Sequence, residues 1–463
     1  MAMTPIVVAL NAAGEPTAHA VAATLGAEVH GRAGRVARAD LFFPNALDHV
    51  RSLFAAGTPI VGVCAAGILI RAVAPLLLNK HIEPPVVAVS DDGTVVVPLL
   101  GGHRGANRLA RQLSEELGAV SAVTTAGDIA LGISLDEPPA GWRLANPGAA
   151  KDAMAALLAG GGATITGSAP WLAGLPRGEE VQIHAGISPA PEGALGYHPL
   201  DVAIGVGCSR DCPEEELIEL VDATLAEAAI APGALAAIGT LDLKADEPAL
   251  AALSAHLGIS VKHFTAETLE AQSHRLLTPS EVVFAEVGCH GVAEGAALEL
   301  AGPEASLVIA KQKTANATCA VARAPGPITM LTGRDRGQLS LVGIGPGQAD
   351  WRTPEASRLI AEADELVGYG LYLDLLGPLA AGKPTRDFPL GAEEDRCRYG
   401  LERAGEGKHV ALICSGDAGI YAMGALVYEL LDRGDLTDAA RRVEVVSSPG
   451  ISALQAAAAR IGA

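Results

Sequence analysis

Three short stretches set strand-like runs against small, turn-forming residues: Gly343-Ile344-Gly345-Pro346-Gly347, Ser415-Gly416-Asp417-Ala418-Gly419 and Ser448-Pro449-Gly450. The first invites a reading as a phosphate cradle or a dinucleotide fingerprint. A phosphate loop needs a Lys-Ser/Thr pair after its last glycine, and none follows Gly347. A dinucleotide fingerprint needs G-x-G-x-x-G, whereas these glycines are spaced by two. Pro346 also removes a backbone donor that a pyrophosphate would use. What remains is a tight turn where backbone can approach a ligand closely. Thr353-Pro354-Glu355 then reads as a helix cap with proline at the first helical position. All three stretches follow strand-like runs, and open α/β sheets bind ligands at such carboxyl ends.

Much of the chain supplies elements of that kind. Short β-branched runs (PIVVAL, PIVGVC, VVAVS, VAIGVGC, LAAIGT, SLVIAK, LSLVGIG, HVALICSG, RVEVVSS) alternate with Ala/Leu-rich helical runs. This predicts βαβ units and mostly parallel sheets. At 463 residues the chain is too long for one core, so three or four domains are expected. With 49% hydrophobic, 19% charged and only 3% aromatic residues, Ala, Val, Leu and Ile must fill the cores. A formal charge of -20 argues against a nucleic-acid partner. Any anionic ligand must then meet local cation clusters.

Seven cysteines, an odd number, lie mostly in apolar runs, as expected of reduced, buried thiols in a cytoplasm. Cys208-x-x-x-Cys212 has no second pair nearby and a proline after it, so it reads as a helix-start turn rather than a metal site. The start lacks a basic segment before its apolar run, so no signal peptide is expected. The longest apolar stretch, residues 59–79, contains Gly62, Gly67, Arg71 and Pro75 and reads as strand, turn and helix rather than a membrane span. Asn316-Ala-Thr matches a glycosylation acceptor, but nothing indicates secretion.

The three glycine-containing loops resemble the markers of the tetrapyrrole methyltransferases, which use S-adenosylmethionine. LVGYGLYLDLL (366–376), the segment from Phe388 to Gly424 and its Tyr421-Ala-Met-Gly step resemble the precorrin-3B C-17 methyltransferases, continuously from 339 to 463. The resemblance implies that Gly345, Pro346 and Gly347 line a tetrapyrrole trough, while Gly416, Asp417, Ile420, Pro449 and Gly450 bind the methyl donor. Tyr421, also placed with the donor, could face either ligand. Methyl transfer is an in-line displacement that needs alignment more than a strong base. The family's second lobe is expected after the Pro-Gly-Ile-Ser segment, so residues 339–463 are expected to be a first lobe only.

Upstream, residues 60–128 resemble the N-terminal domain of the cobalt-precorrin-5A hydrolases. VAIGVGCSRDCPEEELIELVDATL and EVGCHGVAEGAALELAGPEASLVIAKQKTANATCAVAR resemble their C-terminal domain. Gly105 stands alone where that family is expected to show a double glycine. The family reaction opens a lactone on the macrocycle and releases acetaldehyde. Opening needs water activated by a base and donors facing an oxyanion. His103, in a glycine turn, is one base candidate. His290 with Glu294, in GCHGVAEG, is another. Arg71, Arg104 and Lys311 are expected to meet macrocycle carboxylates, with Lys80, Arg108 and Lys313 as further cations.

The expected layout is an N-terminal hydrolase-like α/β domain (1–135), a middle domain and linker (136–200), a hydrolase-like C-terminal α/β domain (201–323), a linker (324–338) and the methyltransferase lobe (339–463). The expected activity is lactone opening fused to S-adenosylmethionine-dependent C-17 methylation in corrin-ring biosynthesis. Cobalt enters only as part of the substrate. A non-catalytic tetrapyrrole carrier stays open as the alternative, as do homo-oligomerisation and association with other corrin-pathway enzymes. No nucleic acid and no membrane partner is expected, and the location is read as cytoplasmic.

Overall fold

The computed structural model describes residues 4–77, 79 and 83–462. The first sheet contains β1 (Ile6–Ala9), β2 (Glu28–Arg32), β3 (Leu41–Phe43), β4 (Ile60–Val63), β5 (Val86–Val89), β6 (Val95–Leu100) and β7 (Val120–Ser121), in the order β3-β2-β1-β4-β5-β6-β7. Pairing from β3 to β5 is parallel, and β6 runs antiparallel to β5. β4 and β5 are buried at every position, which is why they read as continuous Val/Ile-rich runs. The apolar stretch from Ile60 does resolve into strand, turn and helix (Ala66–Val73). No described helix is long and apolar enough to cross a membrane.

The second sheet holds β8 (Trp142–Leu144), β9 (Ala163–Gly167), β10 (Val181–Ala185) and β11 (Leu195–Pro199), ordered β8-β11-β10-β9. β11 lies inside the span 136–200, where a middle domain and linker are expected, and it is no linker. All five of its residues are buried, and it pairs with β10 on one side and β8 on the other. Its Pro199 sits at the strand end, where a missing donor is tolerated. Leu131, Ile133 and Leu135 pack into this sheet's core, and Tyr197 donates its hydroxyl to the Leu135 carbonyl at 2.5 Å.

The third sheet contains β12 (Val202–Cys208), β13 (Leu235–Leu241), β14 (Val261–Phe264), β15 (Ser306–Lys313) and β16 (Ala317–Arg323), ordered β14-β13-β12-β16-β15. Helices Glu214–Glu227 and Pro248–Leu257 pack in one of its cores, and helices Ala266–Glu270 and Val292–Ala301 in the other. The latter helix presses so closely on β12 that a Cβ on Gly205 would lie 1.9 Å from the Ala293 carbonyl oxygen. The fourth sheet is wholly parallel: β17 (Gln338–Gly343), β18 (Glu365–Gly368), β19 (Thr385–Asp387), β20 (His409–Cys414) and β21 (Glu444–Ser448), ordered β19-β18-β20-β17-β21.

These sheets fall into two compact units, Met1–Thr124 with Gly337–Ala463, and Thr125–Arg336. Residues expected to be a plain linker are anchored in the second unit. Ile328 donates to the Leu200 carbonyl, His263 and Arg334 exchange main-chain bonds, and Lys262 pairs with Asp335 at 2.7 Å. All seven cysteines are free, and six are buried.

Candidate functional site

In the fourth sheet β20, β17 and β21 are neighbours, so parallel pairing delivers their three glycine-containing loops to one edge. Gly345 donates to the Gly416 carbonyl at 3.1 Å, and Gly416 returns a bond to Gly345 at 2.8 Å. A Cβ on Gly450 would lie 2.0 Å from the Gly416 carbonyl oxygen, so only glycine permits this approach. Gly345, Gly347 and Gly416 adopt positive φ, as tight turns require. Asp417 joins two loops: one carboxylate oxygen accepts from Gly419 at 2.8 Å, the other from Gly450 at 3.1 Å. Pro346, Ile420 and Tyr421 are exposed. Tyr421 holds a left-handed φ of 50° while its side chain is fully exposed, so strain there has no packing return. Thr353 caps the helix Pro354–Glu362, as its sequence suggests. Ser448 donates to Glu355 at 3.1 Å, a link across 93 residues that no local pattern announces.

The third sheet gathers side chains instead. At the carboxyl end of β12, Asp211 takes a left-handed φ of 55°. Its amide donates to Glu247 at 3.2 Å. That carboxylate is only 1% exposed, and Arg210 at 3.0 Å and Lys244 at 3.5 Å compensate it. Glu216 accepts from Thr314, Asn316 Nδ2 and the Asn316 amide, tying the β15–β16 hairpin to the helix after β12. Burial pushes the Cys208 thiol up to about 11, so it is held as a thiol. Among the described residues, no three His, Cys, Asp or Glu side chains converge as metal ligands.

His290 lies just before the helix Val292–Ala301. That helix starts beside Gly207, near the end of β12, where a Cβ would meet Val292 at 3.5 Å. His290 Nδ1 meets Glu270 at 2.9 Å, and the His290 amide donates to the same carboxylate at 2.9 Å. Nε2 lies 3.6 Å from Glu281, whose side chain is 90% exposed. The Glu270 hydrogen bond raises the imidazole above its ordinary range, and the same bond lowers Glu270. The imidazole is thus held by one carboxylate at Nδ1 and faces a second, more distant one at Nε2, an arrangement compatible with proton exchange.

The structure does not join His290 to Glu294. Glu294 is buried and accepts from the Leu277 and Thr278 amides, the Thr278 hydroxyl and the Lys311 amide. Burial pushes its carboxyl up, but these bonds together outweigh burial and hold it below the usual range. It braces a loop against β15. Lys311 also spends its ammonium there, donating to the Thr278 carbonyl at 3.1 Å. The partner of His290, Glu270, stands twenty residues upstream in a separate helix, where no motif spacing reveals it.

In the first sheet, Leu100 of β6 lies opposite Val86 of β5. The turn with His103 and Arg104 therefore sits where β5 begins, away from the carboxyl ends of the parallel strands. Arg104 donates to the Glu83 carbonyl at 3.3 Å. Arg71 lies exposed in the last turn of its helix and donates to the Gly67 carbonyl at 3.1 Å. The His103 side chain and Lys80 lie outside the described residues. At the carboxyl edge of this sheet, Asn11 donates to Asp91 at 3.1 Å, a contact with no signal in the sequence.

Comparison with known proteins matches residues 48–128 to the cobalamin synthesis G N-terminal family, 202–322 to the cobalamin synthesis G C-terminus family and 338–463 to the tetrapyrrole (corrin/porphyrin) methylases. Protein CobE of Sinorhizobium sp is 48% identical over 129 residues, covering 28% of this chain and 82% of that protein. The cobalt-precorrin-5A hydrolase of Salmonella typhimurium is 31% identical over 248 residues, covering 48% of this chain and 71% of that enzyme. The precorrin-3B C(17)-methyltransferase of Sinorhizobium sp is 40% identical over 131 residues, covering 27% of this chain and 49% of that enzyme. The chain thus spans about half the length of this methyltransferase relative.

Proposed function

The chain belongs to the cobalt-precorrin-5A hydrolase family, and on that premise we propose that it opens the lactone of a cobalt-containing tetrapyrrole in cobalamin biosynthesis. The observation that carries this reading is the His290–Glu270 pair beside the end of β12, with Nε2 left facing the exposed Glu281 carboxylate at 3.6 Å. His290 takes a proton from water as the water adds to the lactone carbonyl. The acyl C–O bond breaks, the freed alkoxide takes a proton, and a carboxylate forms. Glu270 holds the ring and offsets the imidazolium charge. Loss of the two-carbon fragment as acetaldehyde follows ring opening. The test is acetaldehyde release from cobalt-precorrin-5A. His290→Gln is expected to lower it at least about 100-fold, within the usual span for a lost general base. Release at the wild-type rate would move the base elsewhere, His103 being next. Tight substrate binding by the wild-type chain without release would support the carrier reading.

For residues 339–463 we propose the first lobe of an S-adenosylmethionine-dependent methylase acting on a precorrin. The residues suit the group. Gly343 and Gly450 leave no room for a Cβ, so backbone forms the edge, and Ile420 and Tyr421 stand exposed beside it. The donor supplies an electrophilic methyl group when bound. Asp417 fixes the Gly450 loop relative to Gly416, and Pro346 and Gly347 line the tetrapyrrole side. Titration of S-adenosylmethionine into the chain, with Asp417→Ala expected to weaken any binding, tests this assignment.

A further inference from the structure

Helix Glu281–Val287 stands over His290 and buries none of its own residues. Phe284 stacks on the His290 ring, with centroids 4.4 Å apart and planes 24° apart, yet it remains 41% exposed. Val282 on the same helix is 69% exposed and Leu277 just before it 64%. The Ser280 amide donates to the His290 carbonyl at 2.8 Å, so the start of this helix is fastened to the imidazole's own backbone. In a chain with only six phenylalanines, an exposed one beside a carboxylate-oriented histidine calls for a flat apolar partner. Charge narrows the choice. Glu270 and Glu281 flank the two nitrogens of His290. The ammonium of Lys311, on the neighbouring strand, is turned to the Thr278 carbonyl. The surroundings of the imidazole are therefore acidic, which suits poorly a ligand edge bearing free carboxylates.

A lactone resolves the mismatch, because it is a carboxylate masked as a neutral ester. We propose that Phe284, Glu270 and Glu281 form the specificity element of the site. The flat face of the macrocycle rests on helix 281–287, and the acidic flanks admit the lactone-bearing rim in preference to rims with free carboxylates. Orientation then follows from charge: the one neutralised edge is the edge presented to His290. Hydrolysis unmasks that edge. Water adds to the carbonyl, the acyl C–O bond breaks, the alkoxide is protonated, and the new carboxylate faces Glu270 and Glu281, which expel it.

This inference rests on the hydrolase reading, but binding alone tests it. The probes are a stable corrinoid c-lactone and the hydroxycarboxylate made by opening that lactone with base. Both are titrated into the full chain by equilibrium dialysis, read from the corrin absorbance. The wild-type chain should bind the lactone at least about tenfold more tightly than the opened form, since like charges brought together disfavour the latter. Glu281→Gln should narrow that ratio by strengthening binding of the opened form alone, and added salt should narrow it too. Phe284→Ala should weaken both probes about three- to tenfold and leave the ratio unchanged. Circular dichroism checks that both variants are folded. Equal affinity of the wild type for the two probes, or a ratio indifferent to Glu281→Gln, overturns the charge selection. Unchanged affinity in Phe284→Ala overturns the shelf. If the ratio is present but no acetaldehyde is released from cobalt-precorrin-5A, the hydrolase reading falls and this inference stands. If acetaldehyde is released and lost in His290→Gln while the ratio is one, the reverse holds.

Discussion

The site proposed at the edge of the third sheet is built from side chains; the one proposed at the edge of the fourth is built from backbone. His290 owes its orientation to Glu270, and the buried Glu247 is held by Arg210, Lys244 and the Asp211 amide. Gly345, Gly416 and Gly450 carry no side chain and are placed by main-chain bonds and close approach. The difference matches what each proposed reaction demands. Ester opening must move protons, so it needs a titrating group with a tuned environment. Methyl transfer moves none to a strong base and needs two reactants aligned, which rigid backbone supplies. A site of the first kind should fail by loss of a charge, one of the second kind by gain of an atom.

The sharpest way to break that comparison is Gly450→Ala. Its methyl group would meet the Gly416 carbonyl oxygen at 2.0 Å, backbone that cannot move aside cheaply. Destabilisation of the lobe by at least about 2 kcal/mol is expected, with loss of S-adenosylmethionine binding. Urea unfolding and titration read both effects. A stable variant with intact binding would show that the loops are less tightly joined than their geometry says.

Next in size is Glu270→Gln, expected to lower turnover roughly 10- to 100-fold while keeping the fold. Its pH profile gives the more telling result. The Glu270 hydrogen bond raises the His290 pKa, so its loss must lower that pKa. A base works deprotonated, so the rising limb of the rate profile should move to lower pH. A limb that stays in place would mean that His290 is not the titrating group.

The same pair should leave a smaller mark on stability. His290 is raised, so its contribution is present below the unfolded imidazole pKa and fades as pH rises through the folded value. Glu270 is lowered, so its contribution is present above the unfolded carboxyl pKa and fades as pH falls through the folded value. The melting-temperature gap between wild type and Glu270→Gln should therefore peak between the carboxylate and imidazole ranges and shrink on either side. The smallest expected effect is a gain. Tyr421→Gly relieves a left-handed φ on an exposed side chain and should stabilise the lobe by about 1 kcal/mol. If the tyrosine also touches a ligand, the gain in melting temperature comes with weaker donor binding.

The two edges were not equally legible. Glycines between a strand and a helix form a contiguous pattern, and the requirement they meet, a positive φ or a missing Cβ, belongs to the residue itself. The backbone-built edge could thus be found from three short stretches. The side-chain edge could be found only in part. His290 stood out in its glycine-rich turn, but its carboxylate was sought in Glu294, four residues on, when the fold supplies Glu270 from another helix. The same spacing placed Glu294 beside Leu277, Thr278 and Lys311 as a brace. Arg210, Lys244 and Glu247 went unnoticed because loops after two separate strands bring them together. β11 was hidden for another reason. Its proline- and glycine-rich surroundings resemble a linker, and its burial comes from the strands on either side.

The sequence by itself therefore determined the alternation of strand and helix, the parallel character of most pairing and the glycine edge of the fourth sheet. Each is set by periodicity or by the intrinsic freedom of one residue. Only the tertiary structure decided which carboxylate meets His290, which cations are already spent and which end of the first sheet carries Arg104. Those are relations between residues far apart in the chain, fixed by strand order and helix packing rather than by any local preference.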